Sequence, residues 1–166
     1  MSAPGESSAW DVLARAAAAR SATAELRAQR ELLVFSLDGA SYALPIERVR
    51  EIVRPRKLTP MPHVPAEVLG IISLRGEIVQ VIDARQRLGL PAAAPARGSR
   101  VIVMTAEHGD ITGLLVDGVH EVLRVDESAL RAPTNTEGGL ISALAPRGDH
   151  FVSLVAPEFL VTFDAS

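Results

Sequence analysis

The sequence predicts a mostly β protein built from two copies of one small, five-stranded, barrel-like unit. Three observations carry this reading. From Leu32 onward, short Val/Ile/Leu-rich runs alternate with Gly, Pro and Asp, the punctuation of strands and tight turns. Blocks of sequence recur in the same order about 70 residues apart, as in a duplicated unit. A connector at 89–99, Gly-Leu-Pro-Ala-Ala-Ala-Pro-Ala-Arg-Gly-Ser, separates the two sets and is too rich in Pro, Gly and small residues to be a core element.

Taken along the chain, residues 1–30 stand apart. Ser8 is placed to cap a helix with Asp11 three residues on, and the Ala/Arg stretch Leu13 to Arg30 lacks Gly and Pro, which favours helix. Trp10, Leu13, Ala17 and Ala24 form only a thin apolar stripe, so the expectation is an exposed helical extension. The candidate strands follow at Leu32–Leu37, Ser41–Leu44, Glu51–Arg54, Val68–Leu74, Ile78–Asp83, Arg100–Thr105, Thr112–Val116, Glu121–Arg124, Leu140–Leu144 and Phe151–Val155. Asp38-Gly39 and His108-Gly109-Asp110 read as hairpin turns. Short helical pieces are expected at Ile46–Val49, Ala84–Leu88 and Pro157–Leu160.

The repeat is carried by several blocks. Ala43 to Val53 aligns with Gly113 to Leu123, with Leu, Val and Glu identical at Leu44/Leu114, Val49/Val119 and Glu51/Glu121. Gly70-Ile71-Ile72-Ser73 answers Gly139-Leu140-Ile141-Ser142, Arg75-Gly76-Glu77 answers Arg147-Gly148-Asp149, and Leu88 answers Leu160. The pseudo-repeats therefore run about 31–88 and 100–160. A five-stranded unit avoids exposed edges best by closing into a small barrel. Two such barrels leave a groove between them.

Composition narrows the function. The 166 residues are 48% hydrophobic and only 4% aromatic, enough for a core that must be aliphatic. There is no cysteine, which removes disulfides, thiolate metal sites and Cys nucleophiles. The net charge is -3 and the arginines are scattered, unlike the basic stripe of a nucleic-acid binder. No apolar run reaches the roughly 18 residues of a membrane span. The N-terminus lacks the basic-then-apolar order of a secretory signal, so the expected location is cytoplasmic.

The search for chemistry is negative. His63, His108, His120 and His150 have no metal-ligand spacing. His120 and Glu121 are adjacent in a strand and point to opposite faces. Ser73 stands alone in an apolar strand, Gly109 and Gly113 read as structural, and no nucleophile elbow, P-loop or dinucleotide fingerprint occurs. The expectation is a protein that is not an enzyme, with no cofactor and no metal.

One resemblance sharpens this. Leu33-Val34-Phe35-Ser36-Leu37 and Tyr42 lead into Ile46-Glu47-Arg48-Val49-Arg50-Glu51-Ile52. Then come Met61-Pro62-His63-Val64-Pro65, Val68 to Ile78 with Gly70 and Ser73-Leu74-Arg75-Gly76, Val81-Ile82-Asp83-Ala84-Arg85, and Val116-Asp117-Gly118-Val119. This order of a Pro-rich loop, a Gly, "NLRG", a strand, "D-x-R" and a later "VDGV" resembles the CheW family of chemotaxis coupling proteins over about residues 31–160, which sets the expected domain at 31–164. The resemblance implies two SH3-like five-stranded β-barrel subdomains flanking a hydrophobic interface, with strands free to cross between barrels. It implies a non-catalytic adaptor that couples methyl-accepting chemoreceptors to the regulatory domain of the histidine kinase CheA.

Carried over residue by residue, Glu51 and Arg75 resemble the family's ion pair, while Val49, Ile52, Leu74 and Gly76 beside them resemble its receptor or kinase interface. For Val49, Ile52 and Leu74 core packing is the competing reading, and for Gly76 a turn. Arg85 reads as structural. Ser73 departs from the family Asn, Ala156-Pro157 from a common Asp, and the extension at 1–30 is long for the family. An accessory scaffold of a non-flagellar pathway such as pilus motility is the close alternative. A small-barrel nucleic-acid module or an unrecognised hydrolase are the distant ones.

Overall fold

Period-two alternation in the aliphatic runs becomes ten strands among the residues that the computed structural model describes, 9–19, 28–105, 109–133 and 139–161. They are β1 (Gln29–Leu37), β2 (Ala40–Pro45), β3 (Val49–Val53), β4 (Val68–Leu74), β5 (Glu77–Asp83), β6 (Arg100–Thr105), β7 (Ile111–Val116), β8 (Gly118–Asp126), β9 (Ile141–Arg147) and β10 (His150–Val155). Helix α1 covers 9–19 and is exposed throughout. Helices α2 (Ala84–Arg87) and α3 (Pro157–Val161) and the 3-10 turns Ile46–Arg48 and Glu127–Ala129 complete the set. The expected cap Ser8, residues 1–7, 20–27 and His108 lie outside the described residues.

The differences from expectation have local causes. Gln29 and Arg30, expected to end a helix, begin β1 by pairing with Asp126 and Val125; a partner strand overrides a weak helical propensity. For the same reason β8 extends well beyond Glu121–Arg124. Strand β9 runs on through Pro146 to Arg147, which is tolerated because β9 is an edge strand.

The strands form two five-stranded sheets, in the orders β8-β1-β2-β10-β9 and β3-β6-β7-β5-β4. Each sheet takes two strands from one half of the chain and three from the other, joined by the parallel pairs β2–β10 and β5–β7. The connector at 89–99 thus links two strands of the same sheet rather than dividing the sheets. Neither half of the chain contains a complete sheet.

Strand β1 shows how the core is laid out. Leu32 and Val34 point into the first barrel with Val125, Ala145, Val152 and Leu154. Leu33, Phe35 and Leu37 point the other way, into a shared core with Leu44, Ile82, Ile102, Met104, Leu114 and Leu160. Strand β6 does the same in the second barrel, with Val101 and Val103 inside and Ile102 and Met104 in the shared core. A strand buried on both faces reads as a continuous apolar run. The space between the barrels is therefore largely packed side chains.

Both sheets are curled but open, and each is sealed by a loop. Thr59 and Ile71 exchange two backbone hydrogen bonds of 2.9 Å, laying the segment after β3 against edge strand β4. Arg131 and Leu144 exchange bonds of 2.9 and 2.8 Å, doing the same after β8 for edge strand β9. Covering an edge removes its free ladder groups. Gly70 permits the first seal: its φ is +148°, and a Cβ there would sit 2.5 Å from the Thr59 carbonyl oxygen.

Candidate partner-binding site

Strand β3 and the tip of the β4–β5 hairpin meet across the open side of the second sheet. The hairpin turns at Arg75-Gly76, with φ of +50° and +81°, the left-handed pair of a type I′ turn. Glycine suits the second position; arginine at the first is uncommon and projects its side chain from the tip. On β3, a bulge at Arg50 breaks the register between Val49 and Glu51 and re-aims the side chains that follow. Arg75 Nη2 then lies 2.9 Å from Glu51 Oε2. A second pair of opposite polarity, Arg50 Nη1 to Glu77 Oε2 at 3.0 Å, lies beside it. Together they tie two strands that share no ladder.

Arg75 is 78% exposed and Glu51 only 19%. Such a pair contributes under about 1 kcal/mol, so its main effect is to fix where the exposed guanidinium points. Of the apolar residues next in sequence to Glu51 and Glu77, Ile52 is exposed on β3 and Ile78 more so on β5. A Cβ added at Gly76 would meet nothing within 4 Å. Leu74 is 5% exposed and packs inside the second barrel, and Val49 packs against the shared core. Both therefore support the surface from beneath instead of presenting it.

The sequence reading missed Ile78, which with Met61, Ile71 and Ile111 lines a groove of about 350 Å³ on the outer face of this barrel. Alternation was the available signal: Val79 and Val81 are buried, which turns Ile78 outward. A matching arrangement on the first barrel was also missed. Arg147 Nε lies 2.6 Å from Glu121 Oε1, with Val122 and Phe151 exposed nearby in sequence. The two hairpins differ by one residue. Arg75 occupies a turn position, whereas Arg147 is the last residue of β9, opposite His150. Arg147 is accordingly only 35% exposed.

The two motifs "D-x-R" and "VDGV" meet between the barrels. Asp83 caps α2 by accepting from the Arg85 N–H at 3.0 Å. Arg85 then reaches Asp117 with Nη2 at 2.6 Å and Nε at 2.9 Å, a forked ion pair. The Asp38 N–H, in the β1–β2 turn, donates to the same carboxylate at 2.8 Å. Three segments from both sheets are thus clasped at one point. The Arg85 hydrogen bond, aided by the Asp38 N–H and opposed by partial burial, holds the Asp117 carboxyl below its ordinary 3.8.

A carboxylate depressed in the folded state stabilises above its unfolded pKa, and that stability is lost as pH falls through the folded value. Thermal melts should therefore show wild type more stable than Asp117→Asn at neutral pH. The gap should close on acidification below about 3.8. A gap unchanged at low pH would remove the clasp as its source.

A family model for the CheW-like domain matches residues 31–164. The chain belongs to the CheW-like domain family. It is 41% identical over 98 residues to the chemotaxis protein CheW of Rhizobium meliloti, covering 59% of this chain and 63% of that protein. It is 33% identical over 110 residues to CheW of Bacillus subtilis, covering 66% and 70%. The chain thus aligns with under two thirds of the Rhizobium meliloti relative's length. Among solved structures, the scaffolding protein TtCheW from Thermoanaerobacter tengcongensis superposes with a TM-score of 0.76 at 31% identity, covering 82% of this chain and 95% of that one. The two five-stranded sheets are those of the CheW-like fold, compatible with SH3-like subdomains. Among the described residues no helix is long and apolar enough to cross a membrane, and no group of three or more His, Asp or Glu is placed to hold a metal.

Proposed function

We propose that this chain is a non-catalytic chemotaxis adaptor that couples methyl-accepting chemoreceptors to the histidine kinase CheA in the cytoplasm. The observation that carries the proposal is the Glu51–Arg75 pair. It holds an exposed guanidinium at a hairpin tip against β3, a strand that also carries exposed Ile52. A preset charge next to apolar surface is what a docking site needs: the charge sets orientation and the apolar area supplies the driving force. Glu51, Arg75, Ile52 and Gly76 form the contact surface in this reading, and Val49 and Leu74 hold it in place from below. Signalling then requires only a fixed geometry among partners, and no bond is made or broken by the adaptor.

Co-sedimentation with receptor-containing membranes and CheA tests this. The protein should enter the pellet, raise the amount of kinase there and change kinase output. Protein left in the supernatant with kinase output unaltered would refute the coupling role.

A further inference from the structure

Three of the arginines that look scattered in the sequence are gathered by the fold at one place. Arg54 follows the last residue of β3, and Arg100 begins β6. The last pair of the ladder, Val53↔Val101, brings Arg54 and Arg100 to the same end of β3 and β6. Arg97 joins them from the connector. With Pro55, Pro95 and Ala96 the three arginines line a cleft of about 600 Å³. None of the three forms an ion pair with a carboxylate among the described residues. Asp117, whose backbone carbonyl lies beside Gly98 of the connector, has its carboxylate engaged by Arg85.

The cleft is built rather than loose. The Ala96 N–H donates to Ser99 Oγ at 2.8 Å, and the Ser99 N–H donates to the Ala96 carbonyl at 3.1 Å. Ser99 itself is 4% exposed. Arg100 Nη1 donates to the carbonyls of Arg97 and Ser99 at 3.1 and 2.7 Å. These bonds fix the turn that presents Arg97 and anchor one arm of the Arg100 guanidinium. Arg54 and Arg97 are exposed. The net charge of the whole chain is -3, so this concentration of positive charge runs against the balance of the molecule.

We infer that this cleft binds an acidic, extended peptide segment of a partner protein. Three guanidinium groups match carboxylates in fork geometry. The volume falls in the range of sites that enclose a ligand of several side-chain groups and exceeds what a single phosphate fills. The walls are proline and alanine, with no aromatic ring for a base to stack on, and the acidic whole repels a polyanionic nucleic-acid backbone. This inference does not rest on the proposed coupling role: none of Arg54, Arg97 and Arg100 belongs to the hairpin-tip site.

Fluorescence anisotropy of a labelled oligoglutamate peptide with the full chain tests this, at low salt and with a salt titration. Saturable binding that weakens with salt is expected. Arg54→Glu and Arg97→Glu should each weaken it by about tenfold or more, with unchanged thermal melts. Arg15→Glu, on exposed α1 and with the same change in net charge, should leave it within about twofold. Absence of saturable binding would overturn the inference. Equal losses in Arg15→Glu and Arg97→Glu would reduce the effect to overall charge and overturn it too. Tighter binding of an unlabelled oligonucleotide competitor would make the cleft a nucleic-acid site, and full displacement by inorganic phosphate at matched ionic strength would make it a small-anion site; either refutes a peptide ligand.

Discussion

Gly70→Ala is expected to destabilise the protein by roughly 3 kcal/mol or more, a fall in melting temperature on the order of 10 °C. Two costs add. The φ of +148° at Gly70 is one that side-chain-bearing residues rarely adopt, and the new Cβ would collide with the Thr59 carbonyl at 2.5 Å. Relief requires the segment after β3 to move off β4. That movement breaks both 2.9 Å hydrogen bonds between Thr59 and Ile71 and uncovers the strand edge. Gly76→Ala is the matched control. Its φ is +81° but nothing lies within 4 Å of the added Cβ, so only conformational strain of about 1 kcal/mol applies. Equal melting of the two variants would show that the close approach at Thr59 does not limit stability.

Arg75→Ala is expected to give the opposite profile. The pair with Glu51 is too exposed on the arginine side to hold the fold, so the melting temperature should change by less than the equivalent of about 1 kcal/mol. Coupling should nevertheless fall by about tenfold or more, because a charge preset at an interface governs orientation and encounter. The measurement is the amount of CheA carried into the pellet by receptor-containing membranes as the adaptor is titrated. A binding curve that overlays the wild type would remove Arg75 from the site. A coupling loss that scales with a drop in melting temperature would assign the effect to folding.

Much of the fold was legible because β structure is written locally. The Leu32–Leu37 run, the Asp38-Gly39 turn and the Val68–Leu74 strand each depend on alternation and turn chemistry within a few residues. Leu74 and Arg75 show where legibility stops. Both lie in one four-residue motif, yet Leu74 is buried inside a barrel and Arg75 projects from a turn. A one-residue change of place in the hairpin changes exposure as well: Arg147, at the end of β9, is 35% exposed against 78% for Arg75. The partners Arg50 and Glu77 were missed because their approach depends on curling one sheet until β3 comes up to the tip of the β4–β5 hairpin.

By itself the sequence determined the β class, the duplicated strand order, the absence of cysteine chemistry and the Glu51 and Arg75 candidates. The first three follow from residue type, local alternation and the repeat about 70 residues apart, and the Glu51 and Arg75 candidates from the resemblance to the CheW family. Only the tertiary structure decided which strands share a sheet, since pairing across about 30 to 110 residues has no local signature. It also decided which scattered arginines share a cleft. Arg54 and Arg100 meet because β3 and β6 come from different halves of the chain and lie side by side. Charges far apart in sequence become one field only when the backbone that carries them is folded.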